Sequence, residues 1–177
     1  MSDDVVRTAR LWTADGFVED RWSRAASLEE ARPDHPSILP LAAYLAVSPQ
    51  TLEMRGDRLA VELLPGEPLE ALLPRLGTLP LVALAFPAFN DGRSFSKAQT
   101  LVERHGYRGA VRATGDVLID QIPLMLRTGF TEFEVTNPTA IARLKAGRVG
   151  GIANHYQPGA RPEPGGARYA WRRSPSD

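Results

Sequence analysis

The sequence predicts an α/β protein in which about four to five parallel strands alternate with helices. Short apolar runs, the longest at residues 79–86, have the length and composition of buried strands. Between these runs, apolar residues recur at helical spacing and the periodic stretches end at glycines. An open three-layer sheet and a partial (β/α) barrel both fit this alternation, and the two remain open because periodicity alone does not distinguish them.

The first 36 residues differ from the rest. The pair Asp15-Gly16 lies between apolar residues and indicates an N-terminal β-hairpin over residues 10–18. Residues 20–36 are charged and end in a proline-containing stretch, so we expect a linker with a short helix near 27–30. The predicted organisation is therefore a hairpin and linker (1–36), an α/β domain (37–152) and a tail rich in Pro, Gly and Arg (153–177).

In the first half of the domain, a short strand at 38–39 precedes a short helix at 41–46. Leu59, Val61 and Leu63 recur at every second position of residues 58–64 and predict a strand. Pro68 then begins a leucine-rich helix that ends at Gly77, and Pro74 should bend or shorten it.

In the second half, a strand at 79–86 is followed by a helix that ends at Gly106. A strand at 110–113 precedes a helix over 116–128, and Pro123 fits that helix better if it begins near Asp120. A last strand at 133–135 leads into a helix with Asn137 as its cap.

Polar residues follow the 79–86 strand at the edge where α/β proteins bind ligands. The turn Asp91-Gly92 is followed by Arg93, Ser94 and Ser96 at the expected start of a helix. Free backbone N–H groups, an arginine and two hydroxyls together favour an anion such as a sulfur oxyanion, phosphate or carboxylate. The alternative is purely structural, with a tight turn and a serine that caps the helix.

The next strand ends in a similar arrangement. Arg112 lies near its end, where it could clamp an anion together with Arg93 or pair with an aspartate instead. Gly115 is expected in the turn that follows, as part of the anion site. Asp116 and Asp120 are the candidate catalytic bases, with helix capping or solvent exposure as the alternative.

Composition excludes several classes of function. Lys plus Arg and Asp plus Glu number 21 each, so no basic excess indicates a nucleic acid partner. The chain has no cysteine, which removes thiol catalysis and cysteine-ligated metals, and the three histidines lack the spacing of a helical metal site. No apolar run approaches the roughly 20 residues of a membrane span. We expect a cytoplasmic protein with no evident cofactor.

Three stretches together resemble a known family. They are AFPAFNDGRSFSKA (85–98), GAVRATGDVLIDQ (109–121) and RTGF (127–130). The resemblance is to the bacterial domain-of-unknown-function 934 family, usually described as an oxidoreductase involved in sulfite reduction, and it covers roughly residues 59–135. It implies a role in sulfur assimilation. The sequence shows no flavin, nicotinamide, haem or iron–sulfur motif, and sulfite reduction requires a redox cofactor.

Three functional hypotheses follow. The first is an accessory protein of assimilatory sulfate or sulfite reduction that acts with a sulfite reductase or another enzyme of sulfur assimilation. The second is an enzyme that acts on a small anionic metabolite. The third is a non-catalytic interaction module whose anchors are the aromatic residues of the hairpin, Trp12 and Phe17, or the arginines and aromatic residues of the tail.

Overall fold

Eight strands form one sheet in the computed structural model, which describes residues 9–88 and 91–150. The strands are β1 (Arg10–Thr13), β2 (Gly16–Val18), β3 (Ser23–Arg24), β4 (Ser37–Pro40), β5 (Leu59–Leu63), β6 (Leu81–Phe86), β7 (Ala110–Gly115) and β8 (Glu132–Val135). Their order is β2-β1-β8-β7-β6-β5-β4-β3. Strands β3 to β8 pair in parallel, and β1 runs antiparallel to both β8 and β2.

The predicted α/β class with mostly parallel strands is confirmed, but the predicted number of strands is wrong. The hairpin forms as expected, and it then extends the parallel sheet because β1 pairs with β8 along its whole length. The expected linker contributes β3, which pairs with β4, and it forms turns where the short helix was expected. One sheet therefore continues across the boundary drawn at residue 36.

The described residues contain five α-helices, of which the first four lie between strands and the last follows β8: α1 (Leu41–Leu45), α2 (Pro49–Arg55), α3 (Arg93–Gln99), α4 (Ile122–Thr128) and α5 (Pro138–Lys145). Two 3₁₀ helices span Gly56–Arg58 and Leu69–Thr78, and α3 continues as a π-helical turn over Thr100–Arg104. The leucine-rich segment with Pro74 inside it is thus a 3₁₀ helix.

Prolines and caps explain the helix boundaries. Helix α4 begins at Ile122, so Pro123 lies in the first turn, where its missing N–H is harmless. Asn137 caps α5 by accepting from the backbone N–H groups of Thr139 and Ala140. Helix α2 was not predicted, although Ser48 is its cap.

The two faces of the sheet have different cores. The helices of the described chain pack on the outer face, where alternate strand residues such as Val61, Leu84 and Phe133 form the main core. The inner face has a small apolar cluster near the amino ends of the parallel strands, made of Ile38, Ala60, Leu81 and Ala83. This two-layer arrangement corresponds to the predicted partial barrel and not to the three-layer alternative.

The sheet curls into a half-barrel. Arg24 on β3 contacts Glu134 on β8, with an N–O distance of 3.0 Å, although four strands separate β3 from β8 in the sheet. In a flat sheet these two strands would lie about 24 Å apart, at about 4.8 Å per strand, which is beyond the reach of an arginine. The curl therefore brings side chains of distant strands together on the inner face.

Residues 19–24, here called the crossing segment, run from the end of β2 to β3. Asp20 binds Arg112 of β7, Trp22 packs on the inner apolar cluster, and Arg24 reaches Glu62 and Glu134. The segment predicted to be a linker thus covers the inner face of the half-barrel and is held there by ion pairs and an aromatic ring.

Candidate functional site

The predicted anion-binding arginine binds a carboxylate of its own turn. The Nε and Nη2 atoms of Arg93 donate to Oδ1 and Oδ2 of Asp91 at 3.0 and 2.7 Å. This hydrogen bond lowers the pKa of Asp91 and raises the pKa of Arg93. The Arg93 side chain remains 64% exposed. An anion at this position would compete with Asp91 for the guanidinium.

The two serines of this segment lie in different environments. Ser94 is fully buried, and its hydroxyl donates to the carbonyl of Ala85 at 2.7 Å, which ties α3 to the end of β6. Ser96 is exposed. Gly92 occupies the cap position of α3, and no side chain caps this helix. The structural alternative expected a serine to cap this helix, but Ser94 instead joins α3 to strand β6.

Arg112 lies on the opposite face of the sheet from α3. It is fully buried on the inner face, and its guanidinium contacts three carboxylates: Asp20 at 2.8 and 3.1 Å, Glu132 at 2.8 Å and Glu134 at 3.4 Å. Burial alone would lower the pKa of Arg112, but the bonds to Asp20 and Glu132 raise it. The structure thus does not bring Arg112 and Arg93 together as an anion clamp.

The remaining predicted residues follow β7. Gly115 adopts a φ of +87°, and a Cβ there would lie 2.4 Å from the carbonyl oxygen of Phe86, so only glycine fits this approach of β7 to β6. Asp116 donates its backbone N–H to the same carbonyl oxygen at 2.7 Å. The side chains of Asp116 and Asp120 are exposed and precede α4, which begins only at residue 122.

A cavity of about 320 Å³ opens on the inner face at the carboxyl ends of the parallel strands. Polar side chains reach it from four strands: Arg24 from β3, Glu62 from β5, Thr114 from β7 and Glu134 from β8. Gly115 lines the cavity as well, so one predicted site residue belongs to it. Enzymes built on parallel strands bind their ligands at this edge.

Hydrogen bonds connect the polar side chains of the cavity. Arg24 lies between two carboxylates, with 2.7 Å from Nη1 to Glu62 Oε1 and 3.0 Å from Nη2 to each oxygen of Glu134. The hydroxyl of Thr114 donates to the same oxygen of Glu62 at 2.8 Å. Such charge-assisted bonds fix the orientation of the side chains.

Small residues on β6 make this network possible. Glu62 and Thr114 belong to the two strands that flank β6, and Ala83 and Ala85 are the inward-facing residues between them. A larger side chain on β6 would separate the carboxylate from the hydroxyl. The electrostatics fit the geometry: burial opposes the charge of Arg24, yet Glu134 and Glu62 raise its pKa above the ordinary arginine value.

The sequence carries a signal for part of this site. Glu62 alternates with Val61 and Leu63, and Glu132 and Glu134 alternate with Phe133 and Val135. This period of two indicates strands with one polar face, and that face is the interior of the half-barrel. Nothing local identifies Arg24, because its role depends on the curl of the sheet.

A second cavity, of about 360 Å³, lies at the amino ends of β6 and β7. Its lining includes Leu76, His105, Tyr107 and Arg108. Tyr107 is buried, and its hydroxyl donates to the carbonyl of Leu79 at 3.0 Å. Burial also raises the pKa of this phenol, which keeps it in the neutral form. Tyr107 therefore has a packing role, and the cavity at the carboxyl ends is the better candidate site.

The proposed aromatic anchors of the hairpin contribute to the fold. Trp12 is buried against Phe133, with 5.5 Å between ring centroids, and Phe17 packs on the main core under the guanidinium of Arg10. The tail anchors and the boundary at 152–153 lie outside the described residues. Within residues 9–88 and 91–150, no cluster of three or more His, Asp or Glu side chains could hold a metal ion, and no helix is long and apolar enough to cross a membrane.

Comparison with known proteins identifies a family for this chain but does not indicate an activity. No curated protein matches this sequence. The model of a bacterial protein family of unknown function, DUF934, matches residues 60–165, which is more than half of the chain and includes most of β5, all of β6 to β8 and the strand ends around the cavity except that of β3. The oxidoreductase activity implied by the resemblance is not supported by this match. The chain belongs to the DUF934 family of bacterial proteins.

Proposed function

We propose that this protein binds a small polar metabolite in the cavity at the carboxyl ends of its parallel strands. The observation that carries the proposal is the meeting of Arg24, Glu62, Thr114 and Glu134, from four strands, around a single cavity of about 320 Å³. That volume lies at the lower end of the range for small-molecule sites. The position is the one at which half-barrel and barrel folds bind their ligands.

The two arginines of this ion network differ in their exposure to the cavity. Arg112, the other arginine of the inner face, is enclosed by its carboxylates and is fully buried. Arg24, Glu62 and Glu134 instead keep side-chain exposures of 46%, 24% and 14%, so their polar groups reach the cavity. Groups that are fixed by one another and still open to solvent are suited to receive a ligand.

The proposal is tested by mapping small molecules onto the protein by NMR. We expect the backbone amides of Thr114 and Gly115 to shift when a panel of amines, amino acids, sugars, carboxylates, sulfate and phosphate is titrated. Thr114→Val should weaken the response, whereas Thr128→Val, on the far end of α4, should not. If no member of the panel shifts the cavity amides, this function is wrong.

A pathway is proposed on separate grounds. We infer from the resemblance of residues 85–98, 109–121 and 127–130 to the DUF934 family that the protein supports assimilatory sulfite reduction as an accessory protein. Deletion of the gene in its native host should slow growth on sulfate and leave growth on cysteine unchanged. Equal growth of mutant and wild type on sulfate would remove this pathway assignment without affecting the proposed cavity.

A further inference from the structure

We propose that the ligand of this cavity carries a positively charged donor group, an ammonium or guanidinium, on a short aliphatic stem. This inference rests on the proposed function, because it names the class of ligand for the same cavity. It differs from the expectation of an anion that the sequence raised.

The charge of the inner face is the first reason. Its ion network contains two arginines, Arg24 and Arg112, and four carboxylates, of Asp20, Glu62, Glu132 and Glu134. The formal charge of the network is therefore −2. A cationic ligand reduces this excess and an anionic ligand adds to it, in a partly buried place where charges are weakly screened.

The use of hydrogen-bond donors is the second reason. Both terminal nitrogens of Arg24 are engaged by Glu62 and Glu134, and all three nitrogens of Arg112 contact carboxylates. The hydroxyl of Thr114 donates to Glu62. An anion bound at Arg24 would therefore lie beside two carboxylates that already neutralise the guanidinium, and they would repel it.

Acceptors, in contrast, remain available. Oε1 of Glu62 accepts from Thr114 and Arg24, whereas Oε2 accepts no hydrogen bond from the part of the chain that the structure describes. Each carboxylate oxygen can accept two hydrogen bonds. The cavity thus offers a fixed, charged acceptor that fits the N–H groups of an ammonium or guanidinium.

The walls determine the rest of the ligand. Ala85 and Pro87, at the end of β6, line the cavity beside the carboxylates. These apolar surfaces suit methylene groups, and the volume of about 320 Å³ accommodates a short chain. A metal ion is a poorer candidate, because the described residues form no group of three His, Asp or Glu around a common point.

Titration calorimetry and NMR with matched probes test the inference. Putrescine and agmatine are the cationic probes, succinate is the dicarboxylate of similar length, and sulfate is the inorganic anion. We expect putrescine or agmatine to shift the amides of Thr114 and Gly115 in the wild-type protein, and succinate and sulfate to leave them unchanged. This comparison needs no variant.

Variants then assign the contact. Glu62→Gln keeps the shape of the side chain and removes its charge, so amine affinity should fall about tenfold or more. Glu53→Gln, on the exposed face of α2, is the matched control and should leave affinity unchanged. Amine binding that survives both Glu62→Gln and Glu134→Gln would overturn the inference.

The two proposals fail in different ways. If succinate or sulfate shifts the cavity amides and the amines do not, the cationic ligand is wrong while the cavity remains a binding site. If no probe and no member of the wider panel shifts these amides, the cavity is not a binding site, and both proposals are wrong.

Discussion

Replacement of Arg112 by methionine is the strongest test of how the inner face is stabilised. Arg112 is the largest fully buried side chain in the described residues, and its guanidinium contacts Asp20, Glu132 and Glu134. Methionine has a similar length and packs well, but it carries no charge. The substitution therefore removes the cation that holds Asp20 and Glu132, whereas Glu134 keeps its contact with Arg24.

The expected cost follows from the burial of the partners. Removal of one member of a buried ion pair typically costs about 3–5 kcal/mol, because the remaining charge is left desolvated and unpaired. The carboxylates here keep 34%, 21% and 14% of their side-chain exposure, so water compensates them in part. We therefore expect a loss of about 3 kcal/mol in the free energy of unfolding, or about 6–12 °C in Tm for a chain of this size.

Arg93→Met is the matched control. Arg93 has one carboxylate partner and a side chain that is 64% exposed, so its replacement should leave the midpoint of urea unfolding nearly unchanged. Urea denaturation followed by circular dichroism measures both variants. If Arg112→Met is destabilised by less than about 1 kcal/mol, or no more than Arg93→Met, then Arg112 does not organise the inner face as described.

Three further predictions concern single positions. Gly115→Ala should lower the free energy of unfolding by at least about 2 kcal/mol, because residue 115 has a φ of +87° and a new Cβ would lie 2.4 Å from the carbonyl oxygen of Phe86. Gly92→Ala is the control for thermal melts. No atom lies within 4 Å of a Cβ at residue 92, so the change there should be less than about 0.5 kcal/mol. Ser94→Ala should cost about 1–2 kcal/mol in urea denaturation, because it leaves a buried carbonyl without its donor. Carboxyl ¹³C NMR should show that the pKa of Asp91 lies below that of an ordinary aspartate, and that Arg93→Met raises it again. The hydrogen bond to Arg93 therefore stabilises the fold at a pH above the ordinary aspartate pKa. This stabilisation is lost as the pH falls through the lowered pKa of Asp91.

Local sequence patterns predict most of the strands and helices around the site. Apolar runs locate β5 and β6, and Asn137 with Pro138 locates the start of α5. The number of strands was underestimated for a physical reason. Strand β3 has only two residues, Ser23 and Arg24, and it forms because β4 provides a parallel edge and the crossing segment is held by distant partners. No local pattern encodes such a strand.

The residues predicted from the sequence and the residues of the cavity lie at the same edge of the sheet, and Gly115 belongs to both sets. The polar turn at 91–96 and the turn at Gly115 both follow strands, and both lie at the carboxyl ends. Sequence cannot tell which face of the sheet a strand residue occupies relative to a neighbouring helix until the pairing register is known. Arg112 and Arg93 therefore looked like neighbours, although one belongs to the inner face and the other to the helical layer.

The half-barrel itself explains why polar groups collect where the cavity lies. A closed barrel fills its interior with side chains from opposite strands, but a half-barrel leaves one face without a second layer. Here the crossing segment supplies that layer in two parts, with Trp22 over the apolar amino-terminal half and ion pairs from Asp20 and Arg24 over the carboxyl-terminal half. The carboxyl-terminal half keeps an open cavity lined by these charged side chains, at the edge where enzymes built on parallel strands bind their ligands.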